Sequence, residues 1–209
     1  MAVEIVRMAD RDKNDAALTR VSTGFEQFVN SLQVEHPLSV LDLGGASQAN
    51  LSFLASLGHR LCFEDLVGSV QEFFGPGEEF DEQRVAADGD RFIEQTLNLP
   101  PASVDAALVW DSLQVLCSPL IEQMVGRLLN VMRPGGLILA FFNADEKASR
   151  LPLYHYRIQD SKTLLLSPRH AYRQLQHHNN RSLERMFGRA HSLKFFLTRD
   201  HLREVIVRR

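Results

Sequence analysis

Residues 38–65 read LSVLDLGGASQANLSFLASLGHRLCFED, and this stretch decides the fold. Its first residues are mostly apolar and run into the pair Gly44-Gly45, as a buried parallel strand does before a tight turn. A helix follows, for which Asn50 is the expected cap, and residues 60–63 form the next apolar strand. Strand, glycine turn, helix and strand in this order predict a right-handed βαβ unit.

Strand and helix patterns continue to alternate after this unit. Strands are predicted at 84–87, 106–110 and 137–142, and helices at 67–74, 91–97 and 118–132. Because the strands are almost continuously apolar and alternate with helices, we expect a doubly wound, mostly parallel α/β sheet. Upstream of the sheet, apolar residues spaced by three and four over 16–32 predict an amphipathic leading helix or lid.

The last third of the chain has a different pattern. Residues 154–158 and 163–166 predict a hairpin arm, and one or two helices are expected between Pro168 and Phe187. Residues 192–197 and 202–207 predict two closing strands, with a helix from Thr198 as the alternative for the second. We therefore expect a single domain over 1–209, with an N-terminal helix (1–34), a core (35–145), an arm with helices (146–190) and terminal strands (191–209).

Composition excludes several classes of protein. The 209 residues are 44% hydrophobic and 23% charged, which is ordinary for a globular domain and excludes disordered, collagen-like and coiled-coil chains. The longest apolar run, 137–142, is far shorter than the roughly 20 residues that span a bilayer, so neither a membrane anchor nor a signal peptide is expected. Cys62 and Cys117 have no metal-ligand spacing, which predicts no metal site and reduced core thiols in a cytoplasmic protein.

Charge is distributed unevenly along the chain. Residues 1–146 carry nine basic and 22 acidic side chains, whereas residues 147–209 carry 14 basic and four acidic ones. The two regions either neutralise each other within the fold or a homodimer, or the basic region meets an anion such as a nucleic acid. We favour neutralisation, because no aromatic-rich RNA-binding signature accompanies the arginines.

Ligands of open α/β sheets bind beyond the carboxyl ends of the strands. In this sequence the strand ends are followed by Gly44-Gly45-Ala46-Ser47, Glu64-Asp65, Asp88-Gly89-Asp90 and Asp111. A glycine turn lets backbone amides approach a ligand closely, and an acid after the second strand can accept both hydroxyls of a ribose. This combination predicts a nucleoside-containing cofactor, and the missing G-x-G-x-x-G pattern argues against a dinucleotide.

Two segments resemble the class I S-adenosylmethionine-dependent methyltransferases. Val40–Gly44 is similar to the family's first motif, V-L-D-L-G-x-G-x-G, and Arg133–Leu137 is similar to the K/R-P-G-G turn before its fifth strand. Asp65 stands 21 residues after Gly44, the spacing at which the family carries its ribose-binding acid. The resemblance implies a Rossmann-like sheet of seven strands whose last two form a terminal hairpin.

The resemblance also implies roles for individual residues. It places Asp42, Gly44, Gly45 and Ala46 beside the methionine part of S-adenosylmethionine, Glu64 or Asp65 on the ribose, Asp88 or Asp90 near the adenine amino group, and Trp110 with Asp111 near the methyl donor. Ala46 and Gln48 stand where the family has its second and third glycines, and Gln48 brings bulk toward the cofactor.

The predicted function is methyl transfer from S-adenosylmethionine to a small-molecule acceptor. Asp111 is the candidate general base, with a helix cap as the competing interpretation. Tyr154, His155 and Tyr156 on the arm are the candidate substrate residues, with a dimer contact as the alternative. Two other functions stay open: an RNA or protein methyltransferase that uses the basic C-terminal third, and a non-catalytic methyltransferase-like binding or scaffold protein.

Overall fold

The computed structural model describes residues 17–75, 82–145, 147–148, 150–173, 177–198 and 201–209. The strands are β1 (Leu18–Val21), β2 (Ser39–Asp42), β3 (Arg60–Phe63), β4 (Val104–Trp110), β5 (Met132–Asn143), β6 (Arg150–Ile158), β7 (Thr163–Arg173), β8 (Ser192–Leu197) and β9 (Leu202–Arg208). The helices are α1 (Thr23–Ser31), α2 (Gln48–Ser56), α3 (Leu66–Phe74), α4 (Glu82–Thr96), α5 (Ser118–Val131) and α6 (Asn180–Met186), with a 3₁₀ turn at Ser112–Val115.

The main sheet has the strand order β3-β2-β4-β5-β9-β8. The first four strands are parallel, and β9 and β8 add an antiparallel hairpin at the far edge. This arrangement confirms the α/β class, and the two closing strands are as predicted. The alternative of a helix from Thr198 is wrong, because β9 pairs with both β5 and β8.

The prediction of a seven-stranded, mostly parallel sheet needs correction, because the main sheet is mixed and has six strands within the described residues. The predicted strand at 84–87 is wrong, since these residues lie inside α4. Val85, Phe92 and Ile93 are buried in this helix. Their spacing of seven and eight residues matches one helical face, and this longer periodicity outweighs a four-residue apolar run.

The N-terminal helix is shorter than the pattern over 16–32 predicts. It begins at Thr23, because the Ser22 hydroxyl accepts a hydrogen bond from the Phe25 N–H at 3.0 Å and caps the helix. Residues 18–21 are instead strand β1, which pairs antiparallel with β7. Residues 1–16 of the predicted lid lie outside the described residues.

The sheet has an apolar layer on each face. Phe25 and Phe28 of α1, Leu54 of α2 and the arm residues Tyr156 and Leu164 pack on one face. The other face is covered by buried side chains of α3, α4 and α5, which include Val67, Phe92, Ile121, Val125 and Leu128. Helices or strands therefore cover both faces, as expected for a doubly wound sheet whose ligand site lies at the strand ends.

The predicted hairpin arm is confirmed and forms a second sheet with the order β1-β7-β6. It is longer than predicted, because residues 168–173 continue β7 where a helix is expected from the sequence. Of the one or two helices predicted between Pro168 and Phe187, the described residues contain α6.

The two cysteines differ in their exposure. Cys62 is exposed and Cys117 is partly buried, so the prediction of two core thiols is wrong for Cys62, whose side chain lies on the edge strand β3. No helix in the described ranges is long and apolar enough to cross a membrane.

Candidate functional site

Asp42, the last residue of β2, is completely buried. Its Oδ1 accepts hydrogen bonds from the Gly44 N–H at 2.9 Å and from the Trp110 indole N–H at 2.7 Å, and its Oδ2 accepts one from the Asn50 amide at 2.8 Å. Burial raises the pKa of Asp42, and these three donors act in the opposite direction. The carboxylate therefore organises the carboxyl end of β2 from inside the fold.

Trp110 ends β4 and projects toward Asp42. Its φ of +54° is rare for a residue other than glycine, and its indole stacks on the Tyr156 ring with centroids 4.9 Å apart. A Cβ on Gly44 would lie 2.7 Å from Trp110 Cδ1. Gly44 is therefore required because the indole packs against it, whereas the sequence suggested that the glycine makes room for a cofactor.

The turns after β2 and β3 lie side by side. Gly44 and Asp65 form an antiparallel bridge, and the Gly45 N–H donates to the Glu64 carbonyl at 3.1 Å. Gly45 has a φ of +89°, and a Cβ on it would contact the Asp65 side chain at 3.4 Å. The glycine turn and the predicted ribose-binding acid thus lie side by side at the carboxyl ends of β2 and β3, the position at which open α/β sheets have their ligand crevice.

Both acidic side chains after β3 have partners within the chain. Asp65 caps α3 by accepting from the Gly68 N–H at 3.0 Å, and Arg169 Nη2 from the arm donates to Asp65 Oδ1 and Oδ2 at 3.0 and 2.8 Å. Glu64 accepts from the Ser69 hydroxyl at 2.7 Å. The Asp65 side chain keeps 40% of its surface exposed, and it is the acid of the pair that contacts Arg169 of the arm.

Asp111 follows Trp110 and anchors the arm. Its Oδ2 accepts from the Tyr154 N–H at 3.1 Å and from the Tyr156 hydroxyl at 3.0 Å, and burial raises its pKa to about 7. Asp111 occupies the N-cap position of the 3₁₀ turn that follows, but its side chain makes no capping bond there and binds the arm instead.

The three arm residues of the predicted substrate site differ in their surroundings. Tyr156 is buried, Tyr154 is half-buried and His155 is exposed. Partial burial lowers the pKa of His155, and the nearby Arg169 guanidinium acts in the same direction. Of these three arm residues, Tyr154 and His155 therefore keep exposed surface that a ligand could contact.

Asn50 was predicted to cap α2, but the structure places it among the buried residues beside Asp42. The cap of α2 is Ser47, and Asn50 lies buried within the helix. Its amide nitrogen donates to the Tyr156 carbonyl at 3.1 Å as well as to Asp42, and its amide oxygen accepts from the Ile158 N–H at 2.8 Å. An amide in the first turn of a helix that packs on the sheet is the signal that could have identified it, since such a group is buried only with partners.

The remaining candidate residues lie away from this crevice or on its rim. Asp88 and Asp90 lie on α4, where Asp88 pairs with Arg91 at 3.0 Å and Asp90 accepts from Gln123 at 3.1 Å. The adenine contact was predicted because these residues were expected to follow a third strand. They lie inside a helix, so this reason no longer holds. Ala46 and Gln48 are exposed. Within the described ranges, no group of three or more His, Cys, Asp or Glu side chains is arranged to hold a metal ion.

Comparisons with known proteins place this geometry in a fold family. No protein-family model and no curated protein matches the sequence. Among solved structures, the chain is similar to the Burkholderia thailandensis 1,6-didemethyltoxoflavin-N1-methyltransferase with bound S-adenosylhomocysteine, at a TM-score of 0.50 and 16% identity over 90% of this chain and 79% of that one.

Two other solved structures resemble the chain at slightly lower scores. They are S-adenosylmethionine-dependent methyltransferases from Methanosarcina mazei (TM-score 0.49, 13% identity, 87% of this chain and 96% of that one) and Aquifex aeolicus (TM-score 0.47, 12% identity, 88% of each chain). The likeness to the Burkholderia enzyme establishes the fold, which is that of the class I S-adenosylmethionine-dependent methyltransferases.

Proposed function

We propose that this chain binds S-adenosylmethionine across the carboxyl ends of β2, β3 and β4 and transfers its methyl group to a small-molecule acceptor. The observation that carries the proposal is the bridge between Gly44 and Asp65, which places the glycine turn beside a partly exposed carboxylate. This position is the point where the strand order reverses, since β3 and β4 flank β2 on opposite sides. Ligands of open α/β sheets bind at such a point.

The crevice fits the nucleoside end of the cofactor better than its methionine end. Asp65 has two carboxylate oxygens that could accept from a ribose diol in place of Arg169, and Gly45 allows the backbone to approach closely. The region above Gly44 is narrower, because the Trp110 indole packs there. In this proposal Asp65 holds the ribose, with Glu64 positioning α3 through Ser69, and Asp42 fixes the turn that flanks the methionine portion.

S-Adenosylmethionine supplies an electrophilic methyl group, and the protein's task is to align an acceptor with it and exclude water. The arm covers the carboxyl ends of the strands and provides Tyr154 and His155 as contacts for the acceptor. Asp111 is the candidate for accepting a proton from an acceptor that arrives protonated, since its pKa of about 7 allows both protonation states near neutral pH. The tyrosine donors on its Oδ2 fix the orientation of this carboxyl group.

Calorimetric titration tests the proposal. We expect S-adenosylmethionine and S-adenosylhomocysteine to bind with dissociation constants on the order of 1 to 100 μM, and NAD to give no heat. Asp65→Ala should weaken binding of both by about 1 to 3 kcal/mol through loss of charged hydrogen bonds. Glu35→Ala removes the same charge from an exposed loop and should leave the affinity unchanged. Equal affinity of Asp65→Ala and the wild type would contradict the assignment of the ribose site.

A second candidate function is a methyltransferase-like binding protein without catalysis. It is favoured by the side chains that already occupy the crevice, namely Trp110 over Gly44 and Arg169 on Asp65. Absence of heat with both S-adenosyl compounds, for the wild type and for a variant without Arg169, would favour this function over methyl transfer.

A further inference from the structure

We propose that Arg169 competes with the ribose of the cofactor for Asp65, so that β7 must release this carboxylate before S-adenosylmethionine can bind. The inference rests on the proposed function, because it assumes that Asp65 is the ribose acid. It assigns to Arg169 a role in setting cofactor affinity, and it makes the arm a part of the binding equilibrium.

The competition follows from the number of acceptor positions on Asp65. A carboxylate oxygen has two lone pairs in its plane. Oδ1 already accepts from the Gly68 N–H and from Arg169 Nη2, and Oδ2 accepts from the same Arg169 nitrogen. A ribose diol needs one position on each oxygen, and Oδ1 has none left while both donors remain. The Gly68 bond belongs to the helix cap, so Arg169 is the donor that leaves.

The contact is suited to exchange. It joins residues 104 positions apart, and Asp65 is 40% exposed at its side chain while Arg169 is 13% exposed. An ion pair that reaches solvent contributes little net stability, because water and salt compete for both charges. A ligand that supplies two hydroxyl donors can therefore replace the guanidinium at a modest cost.

The backbone around Arg169 departs from the regular pairing of β6 with β7. In the β6–β7 pairing, Pro152 lies opposite Ala171 and Tyr154 lies opposite Pro168, so Leu153 faces two residues of β7. This is a β-bulge, in which the ladder is locally disrupted and a side chain is turned out of the regular pleat. Residue 168 is a proline and donates no ladder hydrogen bond.

The side-chain contacts of Asn50 and Asp111 with the arm do not involve this bulge. Asn50 binds the backbone of Tyr156 and Ile158, and Asp111 binds Tyr154 and Tyr156, all of them on β6. Arg169 lies on β7 and holds Asp65 alone among these groups. Release of Arg169 thus requires a local change in β7 and leaves the contacts of β6 in place.

The test compares the affinity of the full chain and its variants for S-adenosylhomocysteine, followed by calorimetry and by the fluorescence of Trp110, the single tryptophan. Removing the competitor in Arg169→Gln should tighten binding by about 3- to 10-fold, because the population with an available Asp65 rises. Arg157→Gln removes a guanidinium from the same hairpin, where it donates to Ser167, and should bind like the wild type. Combining Arg169→Gln with Asp65→Asn should restore no affinity beyond that of Asp65→Asn alone.

Thermal unfolding of each variant separates a folding defect from a binding effect. Should Arg169→Gln fail to fold, Arg169→Lys at rising salt replaces it, and affinity should increase as salt weakens the pair. Amide exchange of residues 163–173 in the wild type should increase when S-adenosylhomocysteine is added. Weaker or unchanged binding by a folded Arg169→Gln would overturn the inference while the proposed function stands. No binding by any variant, the wild type included, would overturn both.

Discussion

The residue that organises this site is Trp110, whose indole joins Asp42, Gly44 and Tyr156. The sequence predicted that Asp42 and Gly44 belong to one turn, because the motif that contains them is local. It could not predict that an indole 68 positions from Asp42 donates to that carboxylate, since nothing in the chain between them records the contact.

The close packing of Trp110 on Gly44 predicts that a larger residue at position 44 destabilises the fold. Gly44→Ala should lower the free energy of unfolding by about 1 to 3 kcal/mol, because its Cβ would lie 2.7 Å from the buried indole. Gly126→Ala is the matched control, since a Cβ there meets no atom within 4 Å inside helix α5. The control should gain about 0.5 to 1 kcal/mol from helix propensity. Urea unfolding followed by circular dichroism measures both values, and equal effects of the two substitutions would contradict this packing.

The raised pKa of Asp111 predicts that the stability of the protein depends on pH. Its pKa rises from 3.8 to about 7 on folding, so the folded state binds this proton more tightly, and the stabilisation is lost as pH rises through 7. His178 acts oppositely: burial lowers its pKa from 6.5 to about 4, so its contribution to stability is lost as pH falls toward 4. Relative to Asp111→Asn, the wild type should gain on the order of 2 kcal/mol between pH 8 and pH 5.

The comparison with Asp111→Asn cancels the histidine term, because both proteins retain His178. The measurement is the free energy of unfolding by urea at several pH values. A difference between the two proteins that stays constant from pH 8 to pH 5 would mean that Asp111 is ionised throughout this range.

The elements differ in how far the sequence could predict them. Strands β2, β3, β4, β8 and β9 were predicted because each is a short apolar run between turn residues. Helix α4 was misassigned over 84–87, since its helical face becomes clear only over the full span of 82–96. The extent of β7 was also missed, because its residues 168–173 are stabilised by pairing with β6 rather than by their own pattern.

The hydrogen bonds of Asn50 predict that this residue holds the arm against α2. Asn50→Ala removes the donors and the acceptor that hold Asp42, the Tyr156 carbonyl and the Ile158 N–H. We expect a loss of about 1 to 3 kcal/mol for each buried group left without a partner, and faster amide exchange over 154–158. Gln48→Ala, in the exposed first turn of the same helix, should change neither. Unchanged exchange in the arm of Asn50→Ala would show that other contacts hold it.

At the scale of the whole molecule, the alternation of strands and helices predicted the sheet, and it indicated the edge at which we propose that the cofactor binds. The order of the motifs suggested the methyltransferase fold, and the similarity to the Burkholderia enzyme supports it. The arm was predicted as a hairpin, but its position over the crevice was not, because the contacts of Asn50, Asp111 and Asp65 with it span 43 to 108 positions. Contacts of this length are set by the packing of the complete fold.

The central claim is that the crevice beside Gly44 and Asp65 is the cofactor site. A crystal structure of the protein grown with S-adenosylhomocysteine tests it most directly. We predict that the ribose hydroxyls lie on the Asp65 carboxylate and that Arg169 has withdrawn from it. S-Adenosylhomocysteine bound elsewhere on the chain, with the pair between Asp65 and Arg169 intact, would contradict the claim.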